Sequence, residues 1–137
     1  MADQIQFELV SPERLLVSQP VEMVVVPGAE GDFGVLPGHA PLISNVRPGI
    51  IAVFEDNKVA QRIFVAGGFA EVTPERCTVL AEAATLLEDI DRTAVEVEMR
   101  NAREDLALAK DDATRDRLEQ VIAVGEAKIA VLDNPVY

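Results

Sequence analysis

Apolar and polar positions alternate with a period of two up to about Leu87, and with a period near 3.6 after it. Gln4 to Val10 sets Ile5, Phe7 and Leu9 on one face, the pattern of a half-buried strand. Leu15 to Val17 and Val21 to Val26 read as further strands, the second apolar enough to be buried on both faces, with Pro27-Gly28 ending it. From Pro27 to Gly49 runs a segment dense in Gly and Pro. Glycines supply positive φ and prolines fix φ while removing a donor, so the segment predicts a shaped loop. Ile50 to Phe54 and Val59 to Val65 predict a hairpin across Glu55-Asp56-Asn57-Lys58, a loop of moderate length. Two more short strands follow, Phe69 to Val72 and Cys77 to Ala81, bracketed by Gly67-Gly68 and Thr73-Pro74-Glu75. Short strands with turn residues between them are the signature of an all-β sandwich or barrel.

The composition changes between Leu86 and Asp91: Gly and Pro almost vanish, and Ala, Glu, Arg and Leu take over. We place the domain boundary there, with a β-sandwich over residues 1–87 and a helical pair over 88–137. Thr93 with Glu96 predicts a capping box at the first helix start, Asp91 being the alternative cap. Val95, Met99, Ala102, Leu106 and Ala109 then trace an apolar stripe to about Lys110. Asp111-Asp112 punctuates, Asp112 is the expected N-cap of a second helix, and Leu118, Ile122, Ile129 and Leu132 line that helix until Asn134-Pro135. Two such helices joined by a few residues lie antiparallel, and the small side chains of Ala102 and Ala109 let the axes approach. The fold class is therefore an all-β sandwich N-terminal domain plus a C-terminal antiparallel α-helical hairpin. The narrow stripe makes the hairpin the less stable part.

Charge narrows the partners. The formal net charge is -12 and the pI about 4.4, which opposes direct binding to nucleic acid or to an anionic lipid surface. Of the 24 acidic and 12 basic residues, 11 and 5 precede Leu87, so neither part is a basic arm. Met1 to Val10 carries Asp3 and Glu8 without the cationic start and apolar run of a signal peptide. Nowhere is there the run of ~18 apolar residues that a spanning helix needs. Any membrane association is expected to go through a protein partner. One cysteine, Cys77, makes no intrachain disulfide, which fits a reducing compartment.

Catalytic chemistry finds little support. His39 is the only histidine, and zinc sites need three or four ligands, so a loop hydrogen bond or a subunit contact is the reading for it. Cys77, within Arg76 to Ala81, would be a nucleophile only with a basic partner, and buried strand cysteines are ordinarily inert, so it reads as core. Gly28, Gly31 and Gly34 lack the Lys-Ser/Thr and the following helix of a phosphate loop, so turn geometry explains them. Glu82, Glu88, Asp89 and Asp91 read as acidic residues favourable to a helix start and not as an acid/base pair. We therefore expect no catalytic residue, no metal ligand and no cofactor-binding residue.

Several ordered blocks carry a resemblance. PGAEGDFGVLPGHAPLI (Pro27 to Ile43), Arg47-Pro48-Gly49, VAGGFAEV (Val65 to Val72) and CTVLAEAA (Cys77 to Ala84) together resemble the epsilon subunit family of bacterial F-type ATP synthases, called delta in mitochondria. The likeness spans essentially the whole chain, including the β-then-αα order. It implies a central-stalk subunit that couples proton flow through the c-ring to ATP synthesis, non-catalytic itself. It would be peripheral on the cytoplasmic face of the bacterial inner membrane within a heteromeric complex. By carry-over, Gly31, Asp32 and Phe33 approach the c-ring, and Ser11, His39, Ala40, Pro41, Leu42 and Ser44 lie towards the gamma subunit.

The resemblance also implies two regulatory uses of the hairpin. Some members bind ATP through an Ile/Leu-Asp-x-x-Arg-Ala pattern followed by further arginines. Here Ile90-Asp91-Arg92-Thr93 is followed by Ala94-Val95, so the first arginine is absent, although Arg92, Arg100 and Arg103 are near. In others the last helix inserts among the alpha and beta subunits and inhibits hydrolysis. Arg115, Arg117 and Lys128 against Asp116, Glu119 and Glu126 give that insertion little electrostatic pull. A hairpin that stays folded is the alternative to one that extends. A different class, a free-standing sandwich that binds another partner, uses the same architecture. A small hydrolase ranks last for want of a nucleophile and base.

Overall fold

The computed structural model describes residues 3–135 and 137. Ten strands come first: β1 (Ile5–Val10), β2 (Leu15–Val21), β3 (Met23–Gly28), β4 (Gly31–Val35), β5 (Leu42–Val46), β6 (Gly49–Glu55), β7 (Lys58–Val65), β8 (Gly68–Val72), β9 (Arg76–Ala81) and β10 (Ala84–Leu86). A 3-10 turn at Leu87–Asp89 precedes two helices, α1 (Arg92–Leu108) and α2 (Asp112–Asp133). This is the expected sandwich followed by a helical hairpin. The chain divides into two units, the head up to Leu87 together with Tyr137, and the hairpin from Glu88 to Val136.

The strands of the head run in the order β10-β7-β6-β3-β5-β8-β9-β1-β2, with β4 paired to β3 as well. Every pairing is antiparallel except β1 with β9. Alternation sends Ile5, Phe7 and Leu9 of β1 inwards, where they meet Val24 and Val26, Ile51 and Val53, Ile63 and Val65, Val72, Cys77 and Val79 in one core. Among the described residues no polar or charged residue is buried. The hydrophobic effect alone accounts for the interior.

Three expectations for the head need correction. The third strand does not stop at Val26 but includes Pro27 and Gly28, where it ends: Pro27 pairs with Asp32 and Gly28 with Gly31. The shaped loop from Pro27 to Gly49 contains two strands, β4 and β5, formed by pairing with β3 and β8 even though Gly34 stands inside β4, opposite Val25. The hairpin loop is shorter than moderate. Glu55 pairs with Lys58, leaving Asp56 (φ 52°) and Asn57 (φ 62°) as a two-residue turn. Asp and Asn are the non-glycine residues that best tolerate that left-handed region. Both carboxylate oxygens of Glu22, between β2 and β3, accept from the Asp56 amide at 2.8 and 2.9 Å, pinning the turn to the β2–β3 connection.

In the hairpin, Asp91 is the N-cap of α1, its side chain accepting from the Ala94 amide at 3.2 Å. The capping box at Thr93 does not form because the helix already begins at Arg92. Asp111, not Asp112, caps α2, taking the Thr114 amide at 2.7 Å and its hydroxyl at 3.0 Å. These two bonds hold its carboxyl below the usual carboxylate range. Val95, Met99 and Ala102 of α1 and Leu118 and Gly125 of α2 are buried. Gly125 has no room for a side chain: a Cβ there would lie 2.4 Å from Met99 Cγ. Gly125 is the notch that receives Met99. No helix among the described residues is long and apolar enough to cross a membrane.

Candidate functional site

The β3–β4 hairpin ends in a tight tip. Gly28 and Gly31 face each other across Ala29-Glu30, and Gly31 has φ 140°, a region open in practice to glycine. Gly28 also has no room for a side chain, since a Cβ there would sit 2.7 Å from Gly31 O and 2.9 Å from the Phe33 ring. Asp32 follows directly and is exposed, whereas Phe33 is partly buried against the core.

Arg47, just past β5, straps this tip. Its amide donates to Pro27 O at 2.9 Å, its Nη1 to Gly28 O at 2.5 Å, and its Nη2 to Asp32 Oδ1 at 2.5 Å. An exposed ion pair alone contributes little. Here the guanidinium also holds Gly28 O and the Arg47 amide holds Pro27 O, which keeps the hairpin in register and fixes where the Asp32 carboxylate points. The Ala29 amide, bonded to Asn45 O at 2.9 Å, ties the tip to β5 again.

Strand register sorts the other expected site residues into two ends of the head. Gly28 pairs with Val46, Val46 with Gly68, and Gly68 with Ala81; Leu80, beside it, pairs with Val10, which Ser11 follows. Ser11 therefore lies at the Asp32 end of the sheet. It sits in the β1–β2 turn, where its amide donates to Arg14 O at 2.9 Å and its Oγ accepts from the Arg14 amide at 3.3 Å. His39 to Leu42 belong to the opposite end, where Leu42 pairs with Val72 and the Gly38 amide donates to Pro74 O at 2.8 Å. His39 Nδ1 donates to Ala40 O at 2.7 Å, a loop hydrogen bond. Ala40 and Pro41 are exposed. Ser44, between the two ends, shares the inward face of β5 with Leu42 and Val46, and its hydroxyl donates to Asn45 O at 3.0 Å.

The outward face of the same strands carries what the sequence reading left unassigned. Ile43 is 72% exposed and Phe69 44%, with Leu80 and Leu15 also exposed. Asn45, Phe69, Leu80, Val10 and Leu15 form one cross-strand row, and Ile43, Glu71, Thr78, Glu8 and Ser18 the next. The signal for Ile43 was the period of two itself: Leu42 and Ser44 share one face and Ile43 must take the other. Ile43, Phe69, Leu80 and Leu15 thus leave apolar side chains exposed on this face, beside Glu71 and Glu8.

Cys77 is fully buried, and burial pushes its thiol up to about 12. Among the described residues no group of three His, Cys, Asp or Glu side chains could hold a metal. In the hairpin, Arg92 pairs with Glu96 and Asp133, and Arg103 with Glu126 at 3.6 Å. Arg103 and Glu126 line a surface groove of about 370 Å³ together with Met99 and Ile129.

The sequence model of the ATP synthase Delta/Epsilon chain beta-sandwich domain matches residues 4–87, more than half of the chain. The chain belongs to the ATP synthase delta/epsilon family. Among its relatives, the ATP synthase epsilon chain of Rhodospirillum centenum is 58% identical, over 96% of this chain and 94% of that protein. That of Rhodospirillum rubrum is 54% identical, over 95% and 97%. In fold it matches a chain of the Euglena gracilis mitochondrial ATP synthase OSCP/F1/c-ring structure in rotational state 1. The TM-score is 0.79 at 27% identity, covering 94% of this chain and 81% of that one. A chain of the Tetrahymena thermophila central stalk/c-ring structure shares the fold at TM-score 0.63 and 13% identity, covering 96% and 98%. The head and hairpin are thus those of a delta/epsilon-family subunit.

Proposed function

We propose that this subunit works in the central stalk of a proton-driven F1Fo ATP synthase, with the Asp32 tip presented to the c-ring and the outward apolar face of β5, β8, β9 and β1 seated on gamma. The observation that carries this reading is the Arg47 strap. It fixes one exposed carboxylate at the end of a rigid two-stranded tip, as a contact that transmits force between rotating parts requires. The head carries out no covalent chemistry in this role. Burying Ile43, Phe69 and Leu80 against gamma supplies affinity, while a rim charge such as Asp32 governs association and register. The subunit then sits peripherally on the cytoplasmic face of the inner membrane and turns with gamma and the ring.

The test uses the assembled enzyme. Asp32→Ala with Arg47→Ala is expected to lower ATP-driven proton pumping several-fold while leaving hydrolysis largely in place, and Ile43→Asp with Phe69→Asp to abolish co-elution with gamma. Normal pumping after loss of the whole head would overturn the assignment. Contact of the hairpin with alpha and beta belongs to the same reading. If removing residues 88–136 leaves hydrolysis unchanged, that regulatory part is wrong.

A further inference from the structure

Tyr137 belongs to the head and not to the hairpin that precedes it in sequence. Three head residues hold it. Arg62 Nε of β7 donates to the main-chain oxygen of Tyr137 at 2.8 Å. Phe54 of β6 meets its ring edge-on, with centroids 6.2 Å apart and planes at 82°, a favoured aromatic geometry. The phenol hydroxyl donates to Asp32 Oδ2 at 2.8 Å, while Oδ1 of that carboxylate takes Arg47.

These contacts read different parts of one residue. Arg62 recognises main chain, Phe54 requires a ring, and Asp32 requires a hydroxyl on its far edge, so tyrosine is the side chain that satisfies all three. We propose that the head carries a docking site for Tyr137, built by Arg62, Phe54 and Asp32, in which Tyr137 competes with the c-ring for the Asp32 carboxylate. The docking part stands on the contacts alone; the competition rests on the proposed c-ring role of Asp32. A ring donor approaching Oδ2 has to displace the phenol or share an oxygen that is already bonded, and charge-assisted bonds to carboxylate are the strong ones. The setting of the phenol agrees: desolvation first, then its bond to Asp32 and the charge there, raise its ionisation above the ordinary value, with Arg47 opposing.

The chain has a single tyrosine and no tryptophan, so its intrinsic fluorescence reports Tyr137 alone. Acrylamide quenching of the full-length protein at neutral pH is expected to be slow, and to rise in Asp32→Asn and in Arg62→Gln while the sheet signal stays intact. Quenching as fast as in the urea-unfolded chain, or unchanged in both variants, would overturn the docking. The second measurement is affinity for purified c-ring. Tyr137→Phe should bind about three- to tenfold tighter, the size expected when one exposed charge-assisted bond is released, and Asp32→Asn more weakly. If Asp32→Asn binds normally, the c-ring role of Asp32 and the competition both fall while the docking stands. If Asp32→Asn weakens binding and Tyr137→Phe does nothing, the competition alone is wrong.

Discussion

Cys77 shows how one residue's surroundings decide its chemistry. Its sulfur lies in the core among β-branched side chains, and the thiolate would be a charge there without a partner. Alkylation of the native protein should therefore stay slow between neutral and mildly alkaline pH and become fast only on unfolding; rapid native labelling would contradict the burial. The same shift has a sign. The unfolded thiol ionises near 9.0 and the folded one near 12, so the unfolded chain binds fewer protons above 9.0. The stability that Cys77 confers is complete below that pH and is lost as pH rises towards 12. Gly68 is a second residue whose role is geometric: its φ is 143°, and an added Cβ would fall 2.0 Å from Leu80 O. Gly68→Ala is expected to destabilise the head by about 2–4 kcal/mol in urea titration. The sequence made Gly67-Gly68 legible as punctuation and Cys77 as core, because both follow from local pattern. Arg47 as the clamp of Asp32 was not legible as such, since the two are 15 positions apart and only the β3, β4 and β5 pairings bring them together.

At the scale of elements, periodicity identified most strands and both helices, and it failed where two signals shared residues. β4 and β5 were hidden because a run rich in Gly and Pro also holds Phe33, Val35, Ile43 and Val46, too short and too interrupted to register as alternation. Pairing with β3 and β8 makes them strands, and pairing is a tertiary fact. The helix caps slipped by one or two residues for a related reason: Asp91, Thr93, Asp111 and Asp112 all cap well, and packing of the stripes chooses among them. The hairpin stripe itself was legible, but Gly125, which packs against Met99, was not read as part of it. Gly125→Ala should gain about 1 kcal/mol of helix propensity and lose more to the contact with Met99. Alone it should lower hairpin stability. Combined with Met99→Ala it should be the less harmful change, with a coupling of about 0.5–3 kcal/mol in a double-mutant cycle. Strict additivity, measured by helix circular dichroism in urea, would remove the notch from the account.

Over the whole molecule the two units differ in what holds them. Among the described residues the head encloses seventeen buried ones in one cluster, reached from nine different strands, so removing any of those nine opens the core to water. The hairpin buries Val95, Met99, Ala102 and Leu118, with ion pairs such as Arg103 to Glu126 on its surface that water screens. Sequence length and local helix propensity do not compensate for so small a buried stripe, because a helix pair gains most of its stability from the face it covers. The molecule should therefore lose its parts in order and not in one step. Two probes separate them without dividing the chain. The helix signal reports α1 and α2, which hold nearly all the helix, and pulsed alkylation of Cys77 reports the head core. The helix signal is expected to fall at a lower urea concentration than that at which Cys77 becomes reactive. Coincident midpoints would mean that the hairpin is as firmly held as the sheet, and that its stability comes from more than the stripe it buries.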